Sequence, residues 1–278
     1  MKKKQIKNSA ASVRAKLLNK AKQLNLDYNR MLLLYLQERF LYRLSQSQFK
    51  DLFILKGGIL FYGAFKENGR TTKDIDLLAT NVANKESIIL KCIQLILSIK
   101  TDDGVEFLLN SVKTEKITRD MAYKGIRVKF KAKLDTAIIP LQIDFGFYDR
   151  VFPHPIFFEY PCLLQDQSIE ILAYSWDSVI AEKLETIIKL GQLNSRMKDF
   201  YDIFFLQQQQ DFKGTDLQLA LSETFKHRKT DIAIFDEIFS ESFFNDKNKQ
   251  RQWNAFLQKL ENRPSLSFYQ VISAIKVF

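Results

Sequence analysis

Residues 52–79, LFILKGGILFYGAFKENGRTTKDIDLLA, restrict what this chain can fold into. Apolar runs at the two ends, "LFIL" and "KDIDLLA", read as short strands. Between them the pattern predicts a helix over residues 59–66, with Asn68-Gly69 as its stop signal. Gly57 and Gly58 fall where the first strand gives way to that helix. The second strand sets Asp74 and Asp76 on one face and Ile75 and Leu77 on the other, because side chains alternate along a strand. Two carboxylates about 4 Å apart repel by several kcal/mol at an effective dielectric near 20. Either one takes a proton or a cation joins them.

A further strand, "LQIDFGF", repeats the scheme. Leu141, Ile143 and Phe145 share one face; Gln142, Asp144 and Gly146 share the other. Hard oxygen donors of this kind suit Mg²⁺ or Mn²⁺, which use carboxylates together with substrate phosphates. Unhindered backbone N–H groups at a helix start attract phosphate oxygens, so Gly57 and Gly58 are candidates for a phosphate cradle. A tight turn needed only for packing is the other reading of the pair. Lys56 and Arg70 flank the cradle as candidate phosphate contacts or as surface charge. An ion pair of Asp74 with Arg70 or Lys73 is the purely structural reading of the acidic motif. Cradle and carboxylates together suit nucleotide chemistry.

The 278 residues suffice for one large domain or two smaller ones. The expected organisation is a helical lead-in over 1–50, a mixed sheet-and-helix core over 51–170 and a helical part over 171–278. Ser12 is the expected cap of a first helix, "YNRMLLLYLQERFLYRLS" forms a second, and Asn84 is the expected cap of "KESIILKCIQLILSI". "VEFLLNSVKTEKIT", "GIRVKFKAKL" and "IIPLQIDFGFYD" follow as strands. In the middle one Arg127, Lys129, Lys131 and Lys133 form a basic stripe, read either as a solvated face or as a contact surface for phosphates. Ser175 caps and Gly191 ends "WDSVIAEKLETIIKL", and Pro264 is expected to open the last helix. In the former helix Lys183 lies beside the apolar stripe of Val179, Ile180, Leu184, Ile187 and Ile188. Asp199 and Asp202 share a face of the next helix. There Arg196 offers Asp199 an ion pair worth a few tenths of a kcal/mol.

Composition narrows the function. Cys92 and Cys162 read as reduced thiols, and with only two histidines a histidine-based metal centre is not expected. No apolar run reaches the roughly 20 residues that span a bilayer, and no hydrophobic region follows the basic "MKKKQIKNSA". A cytoplasmic protein without membrane contact is expected. The formal net charge of +10 is concentrated early. Lys2, Lys3, Lys4, Lys7, Arg14, Lys16, Lys20, Lys22 and Arg30 stand against Asp27 alone in the first thirty residues. Such a face favours polyanionic partners, or is simply a well-solvated helix surface.

"LKGGILFYGAFKENGRTTKDIDLL" resembles the nucleotidyltransferase signature of Gly-Gly or Gly-Ser, a short helix and Asp-x-Asp. More narrowly, it is similar to the AbiEii/AbiGii toxin family, including MenT-like members. "AASVRAKLLNKAKQLNLDYNRMLLLYLQERFLYRLSQSQFKDLFILKGG" resembles that family's helical lead-in, and "IAEKLETIIKLGQLNSRMKDFYDIFFL" its Lys-then-Asp block. The resemblance implies an α+β fold: a polymerase-beta-like nucleotidyltransferase core, a mixed sheet flanked by helices, with a helical C-terminal domain. It implies that Asp74 and Asp76 bind divalent ions, that Lys183 holds the triphosphate of the nucleoside triphosphate, and that Asp199 completes the site. Asp144 fits the third carboxylate of the wider superfamily. Gly58 stands where many superfamily members have Ser, so backbone amides must replace a hydroxyl there. The implied activity is nucleotide transfer to an acceptor, expected to be the 3′ end of tRNA, in a toxin–antitoxin or phage-defence system. The implied partner is an antitoxin that is a DNA-binding regulator. Transfer to a protein or small molecule, and a non-catalytic nucleotide- or RNA-binding regulator, are the alternatives.

Overall fold

The computed structural model describes residues 9–66, 72–117, 125–233, 235–260 and 264–278. Contacts divide the chain into two compact units, Met1–Tyr148 with Phe157–Ala173, and Asp149–Ile156 with Tyr174–Phe278.

The first unit opens with α1 (Ser9–Gln23) and α2 (Tyr28–Ser45), followed by β1 (Phe53–Lys56), α3 (Gly57–Phe65), β2 (Asp74–Ala79) and α4 (Glu86–Leu97). The strands β3 (Val105–Ile117), β4 (Gly125–Leu134), β5 (Ala137–Phe147), β6 (Ile156–Pro161) and β7 (Ser168–Ala173) come next. Among the described residues seven strands make one mixed sheet in the order β3-β4-β5-β2-β1-β7-β6. β2 runs parallel to β5 and β1 parallel to β7, while β3, β4 and β5 pair antiparallel, as do β1 and β2. The fold is thus the expected α+β class.

Strict alternation sorts the sheet into two faces. Ile75, Leu77, Ile126, Val128, Phe130, Ile143 and Phe145 are buried, and their polar neighbours along each strand are not. α2 and α4 contact sheet strands and each other. Phe130 meets Phe40 of α2 at 6.2 Å between ring centres, and Phe53 meets Phe145 edge-on at 5.0 Å. α2 is buried on nearly every side from Met31 to Leu44, its polar Gln37, Glu38, Arg39 and Arg43 included. Of its two buried arginines, Arg39 and Arg43, the second is fully satisfied. Arg43 grips Asp103 with two nitrogens, at 2.8 and 3.2 Å, and donates to the carbonyls of Arg39, Ile99 and Val105.

Several expected element ends move. α3 begins at Gly57, so the glycine pair forms its first turn and does not precede it. Ser12 lies inside α1, and α4 is entered from Lys85 without any side-chain cap, so neither Ser12 nor Asn84 caps a helix. β6 and β7 are strands that the sequence reading did not name; in β6 the exposed Phe157 obscures the apolar–polar alternation. The Asn68-Gly69 stop falls outside the described residues; Lys66, at φ 49°, ends α3.

The second unit is helical: α5 (Trp176–Leu190), a 3₁₀ turn over Gly191–Leu193, α6 (Met197–Gln209), α7 (Gly214–Arg228), α8 (Phe235–Ile238), α9 (Glu241–Phe244), α10 (Lys247–Leu257) and α11 (Phe268–Val277). Ser175 caps α5 and Gly191 ends it, as the sequence predicts. α11 starts four residues beyond Pro264, because Ser267 and Gln270 form a reciprocal capping box there. The core of this unit is aromatic, with Phe268 packed against both Phe200 and Trp253. Arg228 at the end of α7 pairs with Asp149, Glu182 and Glu185. Among the described residues no helix is long and apolar enough to cross a membrane.

Candidate active site

The parallel register of β2 on β5 puts Asp76 beside Asp144 and Asp74 beside Gln142. Oxygens of Asp74, Asp76 and Asp144 come within 4.8 Å of one another, and all three residues are half-buried. Asp74 Oδ1 accepts from the Thr72 hydroxyl at 3.2 Å. Asp144 is gripped by Arg127, whose Nε and Nη2 donate to Oδ1 and Oδ2 at 2.8 and 2.7 Å. Three carboxylates this close need positive charge, of which Arg127 provides one share. The donors are all hard oxygens at half-buried positions, the chemistry that fits Mg²⁺ or Mn²⁺.

Gly57 is held against this cluster. Its φ of +71° lies in the left-handed region, and a Cβ there would sit 1.9 Å from Asp76 Oδ2. Glycine is therefore required twice over, by the turn and by the carboxylate's closeness. Lys56 lies opposite Asp76 in the β1–β2 register and precedes α3 without a side-chain cap. Gly58 is buried in the first turn. The leading amides of α3 thus begin next to the carboxylates and carry the partial positive charge of a helix start.

In the second unit, Lys183 of α5 meets two carboxylates of α6. Its ammonium lies 3.1 Å from Asp199 Oδ1 and 2.6 Å from Asp202 Oδ2. Arg196 donates to the other oxygen of Asp199 at 2.5 Å. Both aspartates are almost fully buried. Burial alone would push the Asp199 carboxyl up, but Lys183 and Arg196 outweigh it and bring the pKa down to about 2. The α5–α6 connection is tied down by Lys249, which donates to the carbonyls of Gln192 and Asn194 at 2.6 Å each, while Asn194 Oδ1 accepts the Arg196 amide at 2.8 Å.

Of the residues singled out in the sequence, Asp74, Asp76, Asp144, Lys56, Gly57 and Gly58 gather in the first unit. Lys183, Asp199 and Asp202 gather in the second. Arg70 lies outside the described residues. The basic stripe faces outward as expected, yet it is partly neutralised. Glu115 accepts from Lys129 at 2.8 Å, and Lys133 lies 3.9 Å from Glu106. Two residues carry more than the sequence suggested. Arg127 read only as part of that stripe, and Asp202, expected to orient its neighbours, accepts directly from Lys183.

No curated protein matches the chain in sequence. Among solved structures it is similar to MenT4, a nucleotidyltransferase toxin from Mycobacterium tuberculosis, at 17% identity and a TM-score of 0.57, covering 95% of this chain and 89% of that one. It is also similar to JHP933 from Helicobacter pylori, at 15% identity and a TM-score of 0.53, covering 91% and 90%. At these identities the likeness concerns the fold. The family model for "Nucleotidyl transferase AbiEii toxin, Type IV TA system" matches residues 39–273, most of the chain and every site residue named above. The chain therefore belongs to the AbiEii nucleotidyl transferase toxin family of type IV toxin–antitoxin systems.

Proposed function

We propose that this nucleotidyltransferase moves a nucleotide from a nucleoside triphosphate onto the 3′ end of tRNA, releasing pyrophosphate and so blocking translation. The observation that carries the reading is the convergence of Asp74, Asp76 and Asp144 beside the uncapped start of α3. In the transfer, the acceptor hydroxyl oxygen forms a bond to the α-phosphorus while the bond to the pyrophosphate oxygen breaks. Asp74 and Asp76, with one oxygen of Asp144, would hold Mg²⁺ or Mn²⁺. A bound divalent ion supplies charge neutralisation at the α-phosphate and acidifies the attacking hydroxyl.

The chain's own groups do the rest. The amides of Gly57 and Gly58 donate to phosphate oxygens, and Lys56 adds a cation on the same side. Lys183 takes the β- and γ-phosphates, a role carried by the family's Lys-then-Asp block. Asp199 and Asp202 hold its ammonium in one place, which limits the motion lost when phosphate binds. A tRNA acceptor suits the early excess of Lys and Arg, although part of that charge is used internally. Arg14 pairs with Asp135, and Lys20 donates to the Leu163 carbonyl. An antitoxin partner follows from the toxin family, and a DNA-binding regulator is the form proposed for it.

The deciding experiment incubates each of the four labelled triphosphates with Mg²⁺ and, separately, with tRNA, protein and small-molecule acceptors. Label entering tRNA in the wild type, and absent in Asp76→Asn and Lys183→Ala, is the expected result. Label in protein or a small molecule replaces tRNA as the acceptor. Nucleotide binding without pyrophosphate release, unchanged in Asp76→Asn, overturns catalysis at this site.

A further inference from the structure

The polar side of the sheet carries an unbroken row of charge. Glu115 of β3, Arg127 of β4, Asp144 of β5, Asp76 of β2 and Lys56 of β1 are successive cross-strand partners. Neighbours in register project on the same side of a sheet, so the row lines up on one face. Within it Arg127 grips Asp144 with two nitrogens.

That link limits what Asp144 can offer. A carboxylate has about four lone-pair positions. Arg127 Nε occupies one on Oδ1 at 2.8 Å, Gln142 Nε2 a second on Oδ1 at 3.2 Å, and Arg127 Nη2 one on Oδ2 at 2.7 Å. One position is left, on Oδ2. The guanidinium is planar, permanently charged and grips with two parallel bonds, so it fixes the carboxylate's plane as well as its charge. Glu115 braces the remaining nitrogen at 3.7 Å.

We propose that Arg127 is a positioning residue of this active site. It restricts Asp144 to a single-oxygen contact with the divalent ion, and its charge weakens the ion's hold. The inference rests on the metal-binding reading of Asp74, Asp76 and Asp144. Two consequences follow with opposite signs. Removing the charge leaves three carboxylates facing one ion and tightens binding. A unit charge about 6 Å from a divalent ion is worth about tenfold in affinity even at the dielectric of water. Removing the fork frees Asp144 to turn, which loses the alignment of the reacting atoms.

The test measures Mn²⁺ affinity by titration calorimetry and electron paramagnetic resonance on the full chain, beside kcat and KM for transfer. Arg127→Gln is expected to bind Mn²⁺ about tenfold more tightly while kcat falls at least about tenfold and KM for the triphosphate stays near wild type. Arg127→Lys keeps the charge and loses the fork, so its Mn²⁺ affinity stays near wild type although kcat falls. In the Asp144→Asn background, Arg127→Gln still tightens Mn²⁺, because the charge acts through space, but lowers kcat no further, because the carboxylate it aligned is gone. A natively folded Arg127→Gln with unchanged or weaker Mn²⁺ binding overturns the inference alone, since a strut of the fold would lower stability and rate without tightening the ion. A wild type that binds no Mn²⁺ overturns both the inference and the metal reading beneath it.

Discussion

A Cβ on Gly57 would lie 1.9 Å from Asp76 Oδ2, so the first residue of α3 and the second aspartate of β2 occupy space that no other residue type could share. The contact joins the two halves of the Gly-Gly and Asp-x-Asp signature. The same glycine that turns the chain into the helix also lets the carboxylate approach its amides. Gly57→Ala strains the left-handed backbone by about 1–2 kcal/mol and must displace Asp76. The expected outcome is a folded protein of slightly lower melting temperature, with transfer reduced about a hundredfold, the scale associated with a 1 Å misplacement. Wild-type activity in a folded Gly57→Ala would show that Asp76 need not sit there.

The Lys183 contacts make a pH prediction. The Asp199 carboxyl drops from its ordinary 3.8 to about 2 on folding, because Lys183 and Arg196 overcome the cost of burial. A carboxylate depressed in this way stabilises the fold above the unfolded value and loses that contribution as pH falls through the folded one. Its share is of the order of 2 kcal/mol. Between about pH 4 and pH 2, wild type should therefore lose about that much more stability than Asp199→Asn, as read from urea midpoints. In Lys183→Met that acid loss should shrink, since without the ammonium the folded pKa moves back toward the unfolded one. Parallel pH profiles for wild type and Asp199→Asn would refute the assignment.

Arg43 and Asp103 make a stability prediction away from the chemistry. All five guanidinium donor positions have partners within the first unit, and both side chains are buried. Arg43→Met leaves Asp103 buried without its counter-ion and is expected to cost about 3–5 kcal/mol in denaturant unfolding. Replacing both, as in Arg43→Met with Asp103→Leu, should recover much of that loss, because no uncompensated charge then remains. A double variant as unstable as the single one would place the energy elsewhere than in the pair.

The parts of this architecture that were legible in the sequence are those governed by local periodicity. The two aspartates of β2, the alternation of β4 and β5, and the Ser175-to-Gly191 span of α5 all follow from side-chain direction or capping chemistry. Non-local relations were not legible. Nothing near Arg127 in sequence announces that β5 will bring Asp144 to its guanidinium; that depends on strand order and register. Lys183 reads as a residue beside an apolar stripe until α6 supplies Asp199 and Asp202. β6 failed for a local reason, since the exposed Phe157 obscures its alternation. Gly57 was legible as a turn residue, but its closeness to Asp76 required the fold.

The basic stripe of β4 gives a last prediction, on the proposal that RNA is the acceptor. Its charges are not equivalent. Lys129 is 2.8 Å from Glu115 and Lys133 is 3.9 Å from Glu106, whereas among the described residues Lys131 has no carboxylate within ion-pair distance. Lys131 is thus the cation most able to take a phosphate without first giving up a partner. Lys131→Ala should weaken RNA binding, and should flatten the plot of log affinity against log salt by about 0.7 for a single-stranded contact. Glu115→Gln should do the reverse, releasing Lys129 toward phosphate and steepening the slope. Fluorescence anisotropy with labelled tRNA over a salt series measures both. If neither substitution changes the slope, the stripe is a solvated sheet face, and the RNA must be held elsewhere on the chain.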